Sequence, residues 1–113
     1  MSLKMYVCAM IIGVASLCSF AAPTLNAWTP TTLGVSGVTV TTDLGDGKPQ
    51  RAYVYCSDGY IYIFEITNSA QEAMYASATS AFLKTKHIGV FVVNQNSTGA
   101  SNEYYISRLY LCN

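Results

Sequence analysis

The stretch SAQEAMYASATSAFLKTKHIGVFVV, residues 69–93, decides the fold, because it predicts a helix that leads directly into a strand. Residues 69–72 fit a capping box, in which Glu72 bonds back to the backbone at Ser69, and helical periodicity continues to about Lys84. The apolar, β-branched run over 88–93 then predicts a strand. The stripe expected to face the core contains Met74, Ala78, Ala81 and Phe82.

Four further strands are predicted, three before the helix and one at the end of the chain. An Asp-Gly pair at 58–59 predicts a tight hairpin, with these two as its turn residues. Three strands, a helix and two strands is the order of a small all-β barrel, the OB-fold. We therefore predict an all-β fold with one helix, a five-stranded OB-fold barrel with the helix between strands 3 and 4; an α+β sandwich of the same order is the alternative. The other strands cover residues 34–42, 51–56, 60–66 and 104–112.

The first predicted strand, GVSGVTVTT over residues 34–42, changes the parity of its apolar positions at Ser36-Gly37. Val35 precedes the pair, whereas the valines that follow it, from Val38 on, fall on the other parity. A slip of one residue in a period-two pattern predicts a β-bulge, and we expect Gly37 to permit it.

The N-terminus has the features of an export signal. A single early charge, Lys4, is followed by an almost wholly apolar run over residues 5–20. This pattern predicts a secretory signal peptide, too short for a membrane anchor. Cleavage after Ala21 or after Ala27 fits; we favour the second, which assigns 1–27 to the signal peptide and 28–113 to one secreted domain.

Two of the four cysteines, Cys56 and Cys112, lie in the predicted mature domain. A domain of about 86 residues buries a limited core and often needs a covalent staple. One cysteine pair in an exported chain predicts a disulfide, since the compartment is oxidising. We therefore expect a bond between Cys56 and Cys112.

Charge and residue types argue against several function classes. The predicted mature chain has five Lys and Arg against six Asp and Glu, so it lacks the basic patch that nucleic acid requires. His87 is the only histidine, so no metal site is expected. No serine lies in a nucleophile-elbow pattern, and Glu65 and Glu103 are expected to be solvated, so we expect no enzyme and no cofactor. Eight tyrosines in the mature chain suit protein or sugar binding instead.

Three motifs together resemble the small B subunits of bacterial A–B toxins of the subtilase cytotoxin, pertussis toxin and typhoid toxin type. Trp-Thr at 28–29, followed by Ser-Gly-Val at 36–38, resembles the mature start of the subtilase branch and favours cleavage after Ala27. Asp-Gly-Lys-Pro at 46–49 resembles a turn of the same branch. YASATSAFLKTKHIGVFV at 75–92 resembles both the subtilase and pertussis subunits in its tyrosine, its alanines and its strand. The likeness covers most of the mature chain.

The resemblance implies an OB-fold subunit, secreted through the periplasm, that forms a ring of five, homo- or heteromeric, and delivers a catalytic A subunit. It also implies binding to sugars of host glycoproteins or glycolipids, often sialylated. Ser36 would contact the sugar, with Phe91 and Trp28 as the aromatic residues of the site. One shallow site binds on the order of millimolar, and several sites on one ring raise avidity. The Ala- and Ser-rich helix would line the central pore and face the A subunit.

A second interpretation stays open. The chain would then be a non-enzymatic secreted or periplasmic OB-fold module, such as an inhibitor or an assembly protein, without glycan binding. Such a module would be monomeric or dimeric, so the mass of the native protein separates the two interpretations.

Overall fold

The computed structural model describes residues 22–41 and 48–112. This part of the chain is mostly β with one helix, which confirms the predicted fold class at that level. The predicted signal peptide lies largely outside the described residues, as does the Asp46-Gly47 half of the Asp-Gly-Lys-Pro turn. The elements are β1 (Ala27–Trp28), β2 (Leu33–Thr41), β3 (Gln50–Cys56), β4 (Ile61–Ile66), α1 (Ser69–Lys84), β5 (His87–Gln95) and β6 (Glu103–Cys112).

Five of these strands close into a ring. β2, β3 and β4 are successive antiparallel neighbours, β4 pairs in parallel with β6, and β6 pairs antiparallel with β5. The ring closes where β5 pairs with the start of β2, at Leu33 opposite Ile88 and Gly34 opposite His87. The helix follows β4 rather than the third strand of the chain, because the two-residue β1 adds an unpredicted strand at the front.

β1 lies beside β5 and is held by backbone and side-chain hydrogen bonds. The Asn26 N–H donates to the Val92 carbonyl at 2.7 Å, and the Thr29 N–H donates to the Val90 carbonyl at 2.9 Å. The Thr29 hydroxyl oxygen accepts from the Val90 N–H at 3.0 Å. A strand of two residues has no periodicity to detect, so the sequence could not predict it.

The bulge predicted in the first long strand is confirmed. Val35 lies opposite Cys56 and Gly37 lies opposite Tyr55, so that Ser36 is the extra residue. The expected need for glycine is wrong: the φ angle of Gly37 is not positive, and an added Cβ would lie 3.8 Å from Tyr55 Cδ1, an ordinary contact.

The hairpin between β3 and β4 is confirmed, with a loop one residue longer than predicted. The Cys56 N–H donates to the Tyr60 carbonyl at 3.2 Å, and the Gly59 N–H donates to the Cys56 carbonyl at 3.1 Å. Gly59 has φ +85°, a left-handed conformation that glycine adopts without strain. Ser57 and Asp58 are therefore the central residues of the turn, and Gly59 completes a three-residue loop.

The helix ends at Lys84 as predicted, but its cap is one residue earlier than the predicted capping box. The Asn68 side chain accepts from the N–H groups of Ala70 and Gln71 at 3.0 and 3.2 Å. Met74, Ala78 and Ala81 face the core as predicted. Phe82 does not, because its side chain is 44% exposed.

The core fills the inside of the ring and the space under α1. Ile63 is fully buried on the other face of β4 from Tyr62 and Phe64. The residues paired with it on the neighbouring strands are Tyr53 of β3 and Tyr105 of β6. No helix within the described residues is long and apolar enough to cross a membrane. The core contains Leu33, Ala52, Val54, Cys56, Tyr62, Phe64, Met74, Ala78, Ala81, Ile88, Val90, Val92, Tyr104 and Ile106.

The predicted disulfide is absent from the described residues, where Cys56 and Cys112 are both free thiols. Cys56 ends β3 opposite Val35 of β2, and Cys112 ends β6 opposite His87 of β5. Around the ring, β4 lies between β3 and β6 on one side, and β2 and β5 lie between them on the other. β4 pairs with the start of β6, whereas Cys112 lies at the end of β6, so the strand pairing does not place the two cysteines side by side.

Candidate functional site

Two surface depressions reach the β3–β4 hairpin and share Ser57 in their walls. The smaller, here called the Ser36 depression, has a volume of about 240 Å³. The larger, here called the Asp58 depression, has a volume of about 420 Å³. The Ser36 depression is lined by Gly34, Val35, Ser36, Ser57, Phe82, Thr85, Lys86 and His87. The Asp58 depression is lined by Ala22, Pro23, Thr24, Trp28, Thr29, Pro30, Thr32, Leu33, Ser57, Asp58 and Tyr62.

The two serines of the Ser36 depression have opposite hydrogen-bonding roles. The bulge exposes Ser36, and its hydroxyl donates to the Tyr55 carbonyl at 3.1 Å. The Ser36 oxygen is then left to accept from a ligand hydroxyl. The Ser57 oxygen accepts from the Gly34 N–H at 3.0 Å, so its own proton can be donated to a ligand.

The end of α1 supplies the charged and aromatic part of this wall. Thr85 adopts a left-handed conformation with φ 56°, and the Lys86 N–H donates to the Ala81 carbonyl at 2.9 Å. This turn ends the helix and sends the chain into β5, which places Lys86 and His87 beside Gly34 of β2. Phe82, in the last turn of α1, completes the wall with an exposed ring.

Asp58 organises the hairpin side of the larger depression. One carboxylate oxygen accepts from the Tyr60 N–H at 3.0 Å, and the other accepts from the Tyr62 hydroxyl at 2.7 Å. Burial raises the pKa of Tyr62, and the hydrogen bond to Asp58 raises it further. The phenol therefore keeps its proton and remains a donor to the carboxylate.

An aromatic cluster borders the Asp58 depression. The Trp28 indole stacks on Tyr110 with centroids 4.5 Å apart and an interplanar angle of 4°. Phe91 meets Trp28 edge to face at 5.5 Å, and the Arg108 guanidinium lies over the Phe91 ring at 5.6 Å. Phe91 is thus engaged by both neighbours, whereas Trp28 keeps 37% of its surface exposed.

The structure separates the three residues predicted to bind glycan. Ser36 lines the smaller depression, Trp28 lines the larger one, and Phe91 contacts Trp28 but is not among the residues lining either depression. Sequence reasoning missed Ser57 and Asp58 as site residues. Their signal was the Ser-Asp-Gly hairpin turn, which we interpreted only as a connection.

Phe82 and Lys86 were missed for a different reason. Helical periodicity predicted Phe82 in the core, and nothing local in the sequence indicates that the end of α1 meets the start of β2. The described residues contain no group of three or more His, Cys, Asp or Glu side chains placed to hold a metal ion.

A scan against protein-family models and a search of curated proteins each find no match for the chain. The two depressions and the ring of strands are therefore the features of the molecule that bear on its function.

Proposed function

We propose that this chain is the receptor-binding B subunit of a secreted bacterial toxin, which binds host cell-surface glycans through the Ser36 depression. The observation that carries the proposal is the composition of that wall: two serine hydroxyls of opposite role, a lysine and an exposed phenylalanine. Ser36 accepts from a sugar hydroxyl, Ser57 donates to a carboxylate oxygen, and Lys86 supplies positive charge. This set suits a sialylated sugar.

The proposed aromatic partner of the sugar is Phe82. Its ring is exposed within the same depression, where an apolar sugar face can lie against it. Phe91 is engaged by Trp28 and Arg108, so its proposed role is to support Trp28.

The proposed fold is an OB-fold barrel, and the proposed assembly is a ring of five. The barrel is supported by the closed strand order β5-β2-β3-β4-β6. It is also supported by the helix, which connects β4 to β5 in the chain. The assembly is supported by α1, which exposes the small residues Ala70, Ala73 and Ala76, so that another backbone can approach closely. In this proposal the helices line the central pore and face the A subunit.

An array of sialylated glycans and their asialo counterparts, probed with the purified secreted protein, tests the glycan role. We expect binding to sialylated members, with Ser36→Ala lowering the affinity for a single site about fivefold to tenfold, the loss of one hydrogen bond. Thr39→Ala is the matched control, since Thr39 is an exposed hydroxyl residue on the same strand, outside both depressions.

Two results would contradict the proposal. A folded wild-type protein that binds no glycan on the array would remove the sugar role and favour a non-enzymatic OB-fold module. Equal losses for Ser36→Ala and Thr39→Ala would show that the Ser36 depression is not where the sugar binds.

A further inference from the structure

The Asp58 depression has a charge opposite to that of the Ser36 depression, and the two meet at Ser57. Asp58 is the one charged side chain among the described residues that line the larger depression, whereas Lys86 lines the smaller. We propose that the Asp58 depression is a second subsite, which binds a neutral sugar linked to the acidic sugar in the Ser36 depression. This inference rests on the proposed function.

Asp58 has hydrogen-bonding capacity left for a ligand. An ionised carboxylate has about four acceptor positions, and the Tyr60 N–H and the Tyr62 hydroxyl use two of them. Neutral sugars carry several hydroxyl donors that fit the remaining positions, and such charge-assisted hydrogen bonds are the stronger kind. A sugar carboxylate has no proton to donate and is repelled by Asp58, so the subsite selects against the acidic sugar.

The remaining wall also suits a pyranose ring. The part of the Trp28 indole left exposed beside Tyr110 offers an apolar surface, and the Thr32 side chain adds a hydroxyl. A volume of about 420 Å³ lies within the range of small-molecule sites. Amphipathic walls of this kind bind the apolar face of a sugar and its hydroxyl rim together.

Consecutive residues of one strand connect the two subsites. Leu33 lines the Asp58 depression, and the next residues, Gly34 to Ser36, line the Ser36 depression. A strand rises about 3.4 Å per residue, so Leu33 and Val35 are roughly 7 Å apart, a separation that two linked sugars can span. Ser57 packs against Gly34 at the boundary, where an added Cβ on Gly34 would lie 3.6 Å from the Ser57 side chain.

The net charge of the subsite favours a neutral ligand over a cation. Ala22 lies in the same wall, and it becomes the mature N-terminus if the signal peptide is cleaved after Ala21. Its α-amino group would then offset part of the attraction of Asp58 for a cation, while the hydrogen-bonding groups of the wall stay available. An ammonium ligand has little to gain there, whereas a polyhydroxylated ring keeps all of its hydrogen bonds.

Amide chemical-shift titrations of the purified secreted protein test the second subsite with three probes. The probes are the methyl glycoside of N-acetylneuraminic acid, lactose, and 3′-sialyllactose, which joins the two. We expect 3′-sialyllactose to bind about tenfold more tightly than the methyl glycoside. Lactose alone should shift the amides of Asp58 and Tyr60 but leave those of Lys86 and His87 unchanged.

Asp58→Asn should abolish the tenfold gain of 3′-sialyllactose and leave the affinity for the methyl glycoside unchanged. Glu72→Gln is the matched control, because Glu72 is an exposed carboxylate on α1 outside both depressions. Asp58 also holds Tyr60 and Tyr62, so Thr32→Val serves as a second variant that leaves those bonds intact. We expect Thr32→Val to reduce the gain threefold or more.

The outcomes separate this inference from the proposed function. If the methyl glycoside binds and 3′-sialyllactose binds no more tightly, or if both variants keep the gain, the second subsite is wrong and the proposed function stands. If none of the probes binds the folded wild type, both are wrong. Binding of tetramethylammonium at the Asp58 amides, more tightly than lactose, would identify a cation site and overturn the inference.

Discussion

Ser36 illustrates how one bulge converts a strand residue into a candidate ligand group. In a regular β2 its side chain would alternate with its neighbours, but the extra residue between Val35 and Gly37 exposes it beside the hairpin. Its proton is committed to the Tyr55 carbonyl, which fixes the oxygen as an acceptor. The bulge therefore leaves Ser36 as a hydrogen-bond acceptor toward a ligand, because its proton is already donated.

Gly37→Ala tests whether the bulge depends on glycine. Because φ at Gly37 is not positive and the added Cβ meets Tyr55 at an ordinary 3.8 Å, we expect the free energy of unfolding to stay the same or to rise by up to about 1 kcal/mol. Gly59→Ala is the contrasting control, since φ +85° at Gly59 should make that change destabilising. Urea unfolding of both variants measures these free energies. A large decrease in the free energy of unfolding for Gly37→Ala would show that the bulge requires glycine.

Cys56 should be a protonated, unreactive thiol with a measurable effect on stability. Burial raises the pKa of the Cys56 thiol, with a smaller contribution from Asp58, whereas in the unfolded chain a thiol ionises near pH 8.5. The folded state therefore holds a proton that the unfolded state releases, and stability present below about pH 8.5 is lost as the pH rises above it. Cys56→Ala should flatten this decline in unfolding free energy measured from pH 8 to 10.

The same thiols give a direct check on the absent disulfide. Without reductant, the unfolded protein should react with two equivalents of a thiol reagent, and the folded protein should be alkylated at half-buried Cys112 before buried Cys56. A protein that reacts only after reduction would contain a disulfide after all.

Among the elements, β1 bears on where the predicted signal peptide would be removed. Cleavage after Ala27 would remove Asn26 and Ala27, and with them the hydrogen bond from Asn26 to Val92 and half of β1. Cleavage after Ala21 keeps the strand and the Ala22–Thr24 part of the Asp58 depression. We therefore predict a mature chain that begins at Ala22, which intact mass and N-terminal sequencing of the processed protein will test.

A matched pair of purified chains tests the physical reason for that prediction. A chain starting at Ala22 should have a higher melting temperature than one starting at Trp28, because β1 is complete only in the first. Equal melting temperatures, or a secreted product starting at Trp28, would contradict the role assigned to β1.

The elements also indicate which parts of the fold were predictable. All the long strands and the helix follow from local periodicity and turn residues, and the bulge follows from a parity change at Ser36. β1 is too short to have a period, and the position of Phe82 depends on what the end of α1 packs against. Site residues such as Ser57 and Lys86 are 29 positions apart in the chain and meet only through the pairing of β2 with β5, which no local pattern encodes.

At the scale of the whole molecule, the outer side of α1 is the surface proposed for assembly. The outer side of α1 is exposed and carries small residues, together with Leu83, which is 72% exposed. In the ring of five proposed above, each copy uses one surface against a different surface of the next, and the ring closes by rotation. In the proposed ring, weak sugar sites would gain avidity because several would engage one membrane together.

The native mass of the purified protein tests this assembly. We expect five times the mass of one mature chain by native mass spectrometry and by light scattering. Ala76→Arg, which places a long charged side chain on the small-residue side of α1, should shift the protein to monomers that keep the circular dichroism of the wild type. Ser97→Arg is the control, since Ser97 is exposed in the β5–β6 loop, away from α1, and the ring should tolerate it. A wild-type protein that stays monomeric or dimeric at micromolar concentration would remove the ring, and with it the avidity that a weak glycan site requires.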